Sequence, residues 1–329
     1  MKLYFDNDIK TNLLKDKKIC IIGYGNQGRA QALNIKESGF NVKVALRKNS
    51  KSLLDAKNDG FTVCNIDYGI KSSELICFLI PDENIKDLIQ KKKNIFTKNQ
   101  TLLFSHGYAV HFENLSLPKF LNIILVAPSG SGKMLRSAYK DGTGIPNLFA
   151  VNNDYSKNSR QLALEYSKAI GGGRVGICET TFAEEVETDL FGEQVILTGG
   201  LPMLIRKSFN VLVKEGYNPI VAWLVCYYEV KSIVDSFHDI GLLQLNSIIS
   251  NIAEYGGYTS GKLVINDVTE SNIKKILKNI KNGNFKKEWK KEVNSEFKIT
   301  KNERQILSDE DLTKISKLML NLTDKKNNY

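Results

Sequence analysis

The chain has 329 residues, room for two domains at ~150 residues each, and its 42% hydrophobic and 25% charged content is that of an ordinary globular protein. The net charge of +10 comes from 46 Lys and Arg scattered among 36 Asp and Glu, with no aromatic-basic RNA motif, which argues against nucleic acid as a partner. The apolar runs at 123–127 and 220–228 are too short to span a bilayer, the N-terminus has no hydrophobic signal core, and five cysteines show no CxxC or disulfide framework, so the expectation is a cytoplasmic protein without a membrane partner.

In chain order, Lys18-Ile19-Cys20-Ile21-Ile22 reads as a strand buried on both faces. It flows into Gly23-Tyr24-Gly25-Asn26-Gln27-Gly28 and a helical stretch over 29–38, which places GxGxxG between a strand and a helix. Gly23 permits the tight turn, Gly25 lets a pyrophosphate approach the backbone, and Gly28 lets helix and strand pack closely. The helix N-terminus adds partial positive charge. The next strand, over 41–46, ends without the carboxylate that would hold a ribose 2′-hydroxyl; Arg47, Lys48, Ser50 and Ser52 follow instead. Cations and hydroxyls there suit a 2′-phosphate, so the expected cofactor is NADP(H).

Alternation continues with strands over 75–80 and 101–104 and a helix over 84–90. Pro81-Asp82-Glu83, Ser105-His106-Gly107 and Ala127-Pro128-Ser129-Gly130-Ser131-Gly132-Lys133 each end a strand at the edge where open α/β sheets bind ligands. His106 therefore has a functional address, set against the plainer reading of a hydrogen-bonded structural histidine; His111 and His238 have none. Cys20 and Cys77 lie in apolar runs and read as small core residues.

Near Gly171-Gly172-Gly173 the pattern changes. A last strand over 175–178 precedes Thr180-Thr181, able to cap a helix, and the domain boundary is set there: a nucleotide-binding domain over 1–181 and a helical domain over 182–327. The capped helix holds Glu184, Glu185, Glu187, Asp189 and Glu193. Asp189 and Glu193 stand at i and i+4, on one face, where paired carboxylates suit Mg²⁺. The plainer reading is a solvated acidic face. Helical periodicity continues over 203–215, 222–240, 247–254 and 270–281, with Gly256-Gly257 expected as the stop of the third and a frayed tail over 323–329.

Ile22-Gly23-Tyr24-Gly25-Asn26-Gln27-Gly28, Ser105-His106-Gly107, Val126-Ala127-Pro128, Glu187-Thr188-Asp189-Leu190-Phe191-Gly192-Glu193-Gln194 and Ala253-Glu254-Tyr255-Gly256, in this order and spacing, resemble the ketol-acid reductoisomerases (acetohydroxyacid isomeroreductases) of the short, class I type. The resemblance runs from Tyr4 to about Leu320. It implies an α/β fold with an N-terminal Rossmann-type parallel sheet domain and an all-α, knotted C-terminal domain that forms a homodimer or higher homo-oligomer. It implies conversion of 2-acetolactate or 2-aceto-2-hydroxybutyrate to 2,3-dihydroxy acids on the valine and isoleucine route, by Mg²⁺-driven alkyl migration and NADPH reduction. By position it makes Asp189, Glu193 and Glu229 metal ligands, Ser250 a substrate contact and His106 the active-site histidine. Arg47, Ser50 and Ser52 become the 2′-phosphate site, while Tyr24, Gly25, Asn26, Gln27, Asp82, Glu83, Asn84, Ile85 and Gly132 contact the cofactor.

Two positions depart from the pattern. The later acidic pair of the family is Glu-x-x-x-Glu, and its first member here is Val225, which cannot coordinate a cation. The family's Lys after Ala-Pro is Ser129, with Lys133 four residues on. These departures leave a second reading, an impaired member that binds NADPH without efficient turnover. A metal-free NADP-dependent dehydrogenase is a further alternative, and it leaves the Asp189 and Glu193 pair unexplained.

Overall fold

The computed structural model describes residues 2–326. Two compact units divide the chain, residues 1–188 and 189–329.

The first unit is built on a nine-stranded sheet: β1 (Leu3–Tyr4), β2 (Ile19–Ile22), β3 (Val42–Ala45), β4 (Val63–Cys64), β5 (Leu75–Phe78), β6 (Thr101–Phe104), β7 (Asn122–Pro128), β8 (Asn147–Asn153) and β9 (Ile177–Glu179). Their spatial order is β1-β9-β8-β7-β6-β5-β2-β3-β4. β2 pairs in parallel with both β3 and β5, so Ile22 lies opposite Ala45 on one side and Phe78 on the other. The helices are α1 (Asn26–Glu37), α2 (Leu53–Asn58), α3 (Ile66–Lys71), α4 (Asp82–Lys92), α5 (Tyr108–His111), α6 (Gly132–Lys140), α7 (Ser159–Ala169) and α8 (Phe182–Gly192).

Every residue of β2, β5 and β6 is buried, which is why these strands read as unbroken apolar runs. Successive side chains point to opposite faces. Ile19, Ile21 and Cys77 accordingly join one core layer with Leu103 and Tyr166. Cys20, Ile22, Ile76 and Phe78 join the other with Phe104 and Phe182. The sheet is parallel-dominated, as expected of a Rossmann-type domain; only β7 with β8 and β1 with β9 pair antiparallel, while β8 and β9 run parallel to each other. The strand expected over 175–178 starts at Ile177, because Gly176 takes a φ of 144° and breaks the extended run.

The second unit contains α9 (Gly200–Lys214), α10 (Pro219–Trp223), α11 (Val230–Ile240), α12 (Leu242–Leu245), α13 (Asn251–Val264), α14 (Asp267–Lys281), α15 (Asn284–Asn294), α16 (Lys298–Asp309) and α17 (Asp311–Lys326), and no strand among the described residues. Its core gathers Phe209, Ala222, Trp223 and Leu312. The Trp223 indole N–H donates to Ser316 Oγ at 2.8 Å, so its polar tip is satisfied. The helix expected over 222–240 exists, but a π-helical turn (Leu224–Tyr228) interrupts it between α10 and α11. Gly256-Gly257 do not stop α13, which begins only after Ser250 and runs through both glycines to Val264. The frayed tail expected over 323–329 is helical as far as Lys326, and residues 327–329 lie outside the described residues.

Candidate active site

The glycine turn follows β2 where the strand order reverses, between β3 and β5. Crevices of this kind bind ligands at the carboxyl ends of the strands. Gly23 has a φ of 102°, and a Cβ there would fall 2.3 Å from the Leu79 carbonyl oxygen. A Cβ on Gly28 would lie 2.6 Å from the Gly23 oxygen. Gly25 differs: a Cβ there would meet nothing within 4 Å, so its bareness leaves room for a ligand rather than for protein.

Two clefts open from this turn. One, of about 350 Å³, is lined by Gly23, Gly25, Leu46, Arg47, Ser50, Ile66, Pro81 and Asn84. The other, of about 690 Å³, is lined by Gly25, Asn26, Arg29, Ser52, Gly132, Lys133, Arg136 and Lys140. Tyr24 and Gly25 belong to both. Arg47 and Ser50 thus line the first cleft and Ser52 the second. The turn carrying them is held by its own backbone: the Ser50 N–H donates to the Arg47 carbonyl at 3.0 Å, and the Ser52 N–H to Ser50 Oγ at 3.4 Å.

Tyr24 offers backbone to the clefts, since its ring is buried and its hydroxyl donates to Asp59 Oδ2 at 2.7 Å. Arg29 holds the same carboxylate through Nε at 2.7 Å and a second nitrogen at 3.1 Å. That guanidinium keeps the Asp59 carboxyl below the usual carboxylate range. Ile85 is 3% exposed and packs into the core, so only its backbone faces outward chemistry. Gly132 opens α6 where a Cβ would lie 2.1 Å from the Asn26 carbonyl oxygen, so the N-termini of α1 and α6 meet without a side chain between them.

His106 follows β6, and its Nδ1 lies 3.0 Å from Asp82 Oδ2 at the start of α4. Its side chain is 23% exposed, so it faces the edge of the sheet rather than the core. The Tyr108 ring stacks on it with centroids 6.2 Å apart. Burial, reinforced by the charges of Glu113, Asp82 and Glu83, pushes the Tyr108 hydroxyl above its ordinary range, so it stays protonated.

The acidic helix divides its carboxylates. Thr181 caps it, its Oγ1 accepting from the Glu184 N–H at 3.0 Å. Glu184 accepts from Thr180 Oγ1 at 2.7 Å, the buried Glu185 from the Gly107 N–H at 2.6 Å, and Glu187 lies 3.6 Å from His111 Nε2. These three anchor the helix within the first unit, and His111 has that structural role. Asp189 and Glu193 are solvent-exposed, one turn apart, and Glu193 opens a π-helical turn (Glu193–Leu197). Glu229 is exposed and directly follows the second π turn, which contains Val225 at 48% exposure. Such π turns are frequent at functional sites. Ser250 caps α13, its Oγ accepting from the Ala253 N–H at 3.2 Å. Among the described residues no three His, Cys, Asp or Glu side chains gather to cage a metal ion. Two carboxylates one turn apart suit a Mg²⁺ that keeps several waters.

Sequence reasoning missed a buried polar network under the glycine turn. The Gln27 amide N–H donates to the Gly130 carbonyl at 2.8 Å, and Gln31 donates to Gln27 Oε1 at 3.1 Å and to Ser105 Oγ at 3.0 Å. The Tyr166 hydroxyl donates to Gln31 Oε1 at 2.8 Å. The i, i+4 spacing of Gln27 and Gln31 was the available signal; their partners lie far off in sequence.

Comparisons with known proteins agree with this geometry. Residues 13–176 match the family profile described as acetohydroxy acid isomeroreductase, NADPH-binding domain, and residues 182–323 that of the ketol-acid reductoisomerase C-terminal domain. The chain is 41% identical over 292 residues to a "Ketol-acid reductoisomerase (NADP(+))" of Clostridioides difficile (strain 630), covering 88% of this chain and 89% of that one. An NADH-preferring ketol-acid reductoisomerase from an uncultured archean superposes with a TM-score of 0.95 at 35% identity, covering 98% of this chain and 99% of that one. A semialdehyde dehydrogenase NAD-binding protein from Cupriavidus necator shares the fold alone, with a TM-score of 0.62 at 13% identity over 81% of this chain and 99% of that one. With both halves matched and the glycine turn, His106 and the acidic helix in place, the chain belongs to the ketol-acid reductoisomerase family, NADP(H)-linked oxidoreductases of branched-chain amino acid biosynthesis.

Proposed function

We propose that the protein converts 2-acetolactate or 2-aceto-2-hydroxybutyrate to the corresponding 2,3-dihydroxy acid, with Mg²⁺ and NADPH. The observation that carries this reading is the cleft at the glycine turn, rimmed by Arg47 and Ser50 where a carboxylate would serve NADH. Bound Mg²⁺ polarises the carbonyl and hydroxyl oxygens of the substrate, and bound NADPH supplies the hydride. The chain's own residues do the rest. Gly25 and the N-terminus of α1 receive the pyrophosphate, Asn26 and Gln27 flank it, and Gly132 lets α6 approach. Arg47, Ser50 and Ser52 hold the 2′-phosphate. Asp82, Glu83, Asn84 and the backbone of Ile85 bound the cofactor on the α4 side.

His106, with its Nδ1 3.0 Å from Asp82 Oδ2, would move a proton at its Nε2. Asp189, Glu193 and Glu229 supply the hard oxygen ligands, and the Ser250 hydroxyl contacts substrate while it caps α13. The five free cysteines suit a reducing compartment such as the cytoplasm. No helix among the described residues is long and apolar enough to cross a membrane. The second unit exposes Leu242, Leu243, Ile252, Tyr255 and Leu263, which supports a homodimer or higher homo-oligomer. The test is NADPH oxidation on 2-acetolactate with and without Mg²⁺. Turnover that requires the metal supports the assignment, and its absence at saturating Mg²⁺ overturns it.

A further inference from the structure

We propose that Gln31 is a positioning residue that fixes the His106 loop and the cofactor loop in one arrangement; this rests on the reading of His106 as the active-site histidine. Gln31 is 0% exposed and sits in the interior of α1, without contact to either cleft. Its amide joins three segments that end strands at the ligand edge. Through Ser105 Oγ it holds the residue before His106; through Gln27 it holds the Gly130 carbonyl in the loop after β7; and through α1 it continues the glycine turn.

The chemistry of the chain of bonds orients every amide. The Gly130 carbonyl can only accept, so the Gln27 NH₂ must face it and the Gln27 oxygen must face Gln31. The Gln31 NH₂ then has two acceptors, and its oxygen must take the Tyr166 hydroxyl proton. Burial raises the Tyr166 hydroxyl well above its usual range, so that donor survives across the neutral range. A buried network satisfied in only one orientation specifies one geometry. On the other side of the loop, Asp82 meets His106 Nδ1 at 3.0 Å and Glu185 takes the Gly107 N–H at 2.6 Å. His106 is thus held from α1 through Ser105 as well as from α4 and α8.

The test uses Gln31→Leu, Gln31→Glu and Ser105→Ala in the full-length protein, the last deleting only the link to the histidine loop. The readouts are the His106 ring titration by NMR, which needs no turnover and is resolvable because the chain has three histidines, and kcat against the KM for NADPH. Gln31→Leu is expected to shift the His106 midpoint while leaving that of His238 in place, and to lower kcat ~10- to 100-fold, the scale of a ~1 Å misplacement, with a smaller change in KM. Gln31→Glu should recover part of kcat at low pH, where the protonated carboxyl regains a donor. Ser105→Ala, which leaves no cavity of consequence, should shift His106 in the same sense even where Gln31→Leu does not fold. A His106 titration that responds in an otherwise inactive protein supports the positioning role and counts only against the assigned reaction. Folded variants with an unmoved His106 midpoint and unchanged kcat overturn the proposal.

Discussion

Cofactor choice offers the sharpest test, because relatives of this chain carry names of both kinds, one NADP(+) and one NADH-preferring. Preference therefore has to come from the few residues after β3. There the chain places Arg47, exposed at the cleft rim, and Ser50, with no carboxylate in the turn. One cation against one phosphate charge at ~4 Å is worth ~1 kcal/mol in water and ~4 kcal/mol at an effective dielectric of ~20. Exposure puts Arg47 at the lower end, about 1–2 kcal/mol, or roughly 5- to 30-fold in affinity. NADPH should thus bind about tenfold or more tightly than NADH once the serine hydroxyls add their bonds. Arg47→Asp removes the attraction and adds a comparable repulsion, so NADPH should weaken by roughly two orders of magnitude. NADH should hold or improve, its 2′-hydroxyl gaining an acceptor. Fluorescence titration of both nucleotides at moderate ionic strength measures this. Equal affinities in the unmodified protein, or parallel loss of both nucleotides in the variant, would refute the argument.

His106→Asn should lower kcat by ~10²–10⁴ with NADPH affinity retained; a Kd that rises in step would mean that the ring binds cofactor rather than moving a proton. Glu185→Ala leaves the buried Gly107 N–H without its acceptor, at a cost of about 1–3 kcal/mol, read as a lower Tm in thermal melting; an unchanged Tm would contradict the anchoring role. With Asp189, Glu193 and Glu229 as the proposed ligands, Val225 would leave one metal position short of a ligand, so calorimetry should find one tight and one weak Mg²⁺ site, and Val225→Glu should reduce the Mg²⁺ needed for turnover. Adding Ser129→Lys should raise turnover further, since one oriented donor to a developing oxyanion is commonly worth ~10²–10³ in rate. Two equally tight sites in the unmodified protein would overturn that reading.

The centre of the sheet was legible because a parallel strand covered on both faces leaves an unbroken apolar run, and the glycine turn because only glycine tolerates the φ of 102° at Gly23. Partnerships at long range were not. Asp59 meets Arg29 and Tyr24 across 30 and 35 residues, and nothing local distinguishes it from any other polar residue after a short helix. The same holds for Gln31, whose partner Ser105 is 74 residues away and Tyr166 135 residues away. In the acidic helix, spacing put Asp189 and Glu193 on one face, but it could not show that Glu184, Glu185 and Glu187 meet Thr180, Gly107 and His111. The antiparallel β8 escaped notice because it begins at Asn147 and ends in Asn152-Asn153, polar residues that resemble a loop.

The misread stop at Gly256-Gly257 shows what local propensity leaves out. Each glycine inside a helix costs about 1 kcal/mol relative to alanine, and α13 carries Gly256, Gly257 and Gly261, yet continues to Val264. A Cβ at any of the three would meet nothing within 4 Å, so packing within this chain does not require them. Gly257 and Gly261 stand at i and i+4, on one face, where the absence of side chains lets another backbone approach closely. The same helix exposes Ile252 at 86%, Tyr255 at 72% and Leu263 at 77%. Ile252 and Leu263 share their face with Gly256, while the Gly257 and Gly261 stripe lies on the opposite side, so the helix is open on both faces; a second copy of the chain is the cover the proposed homodimer supplies. Gly257→Leu should therefore weaken self-association while leaving NADPH binding, a property of the first unit, unchanged. Sedimentation of the unmodified protein as a single chain at micromolar concentration would remove the basis for this reading.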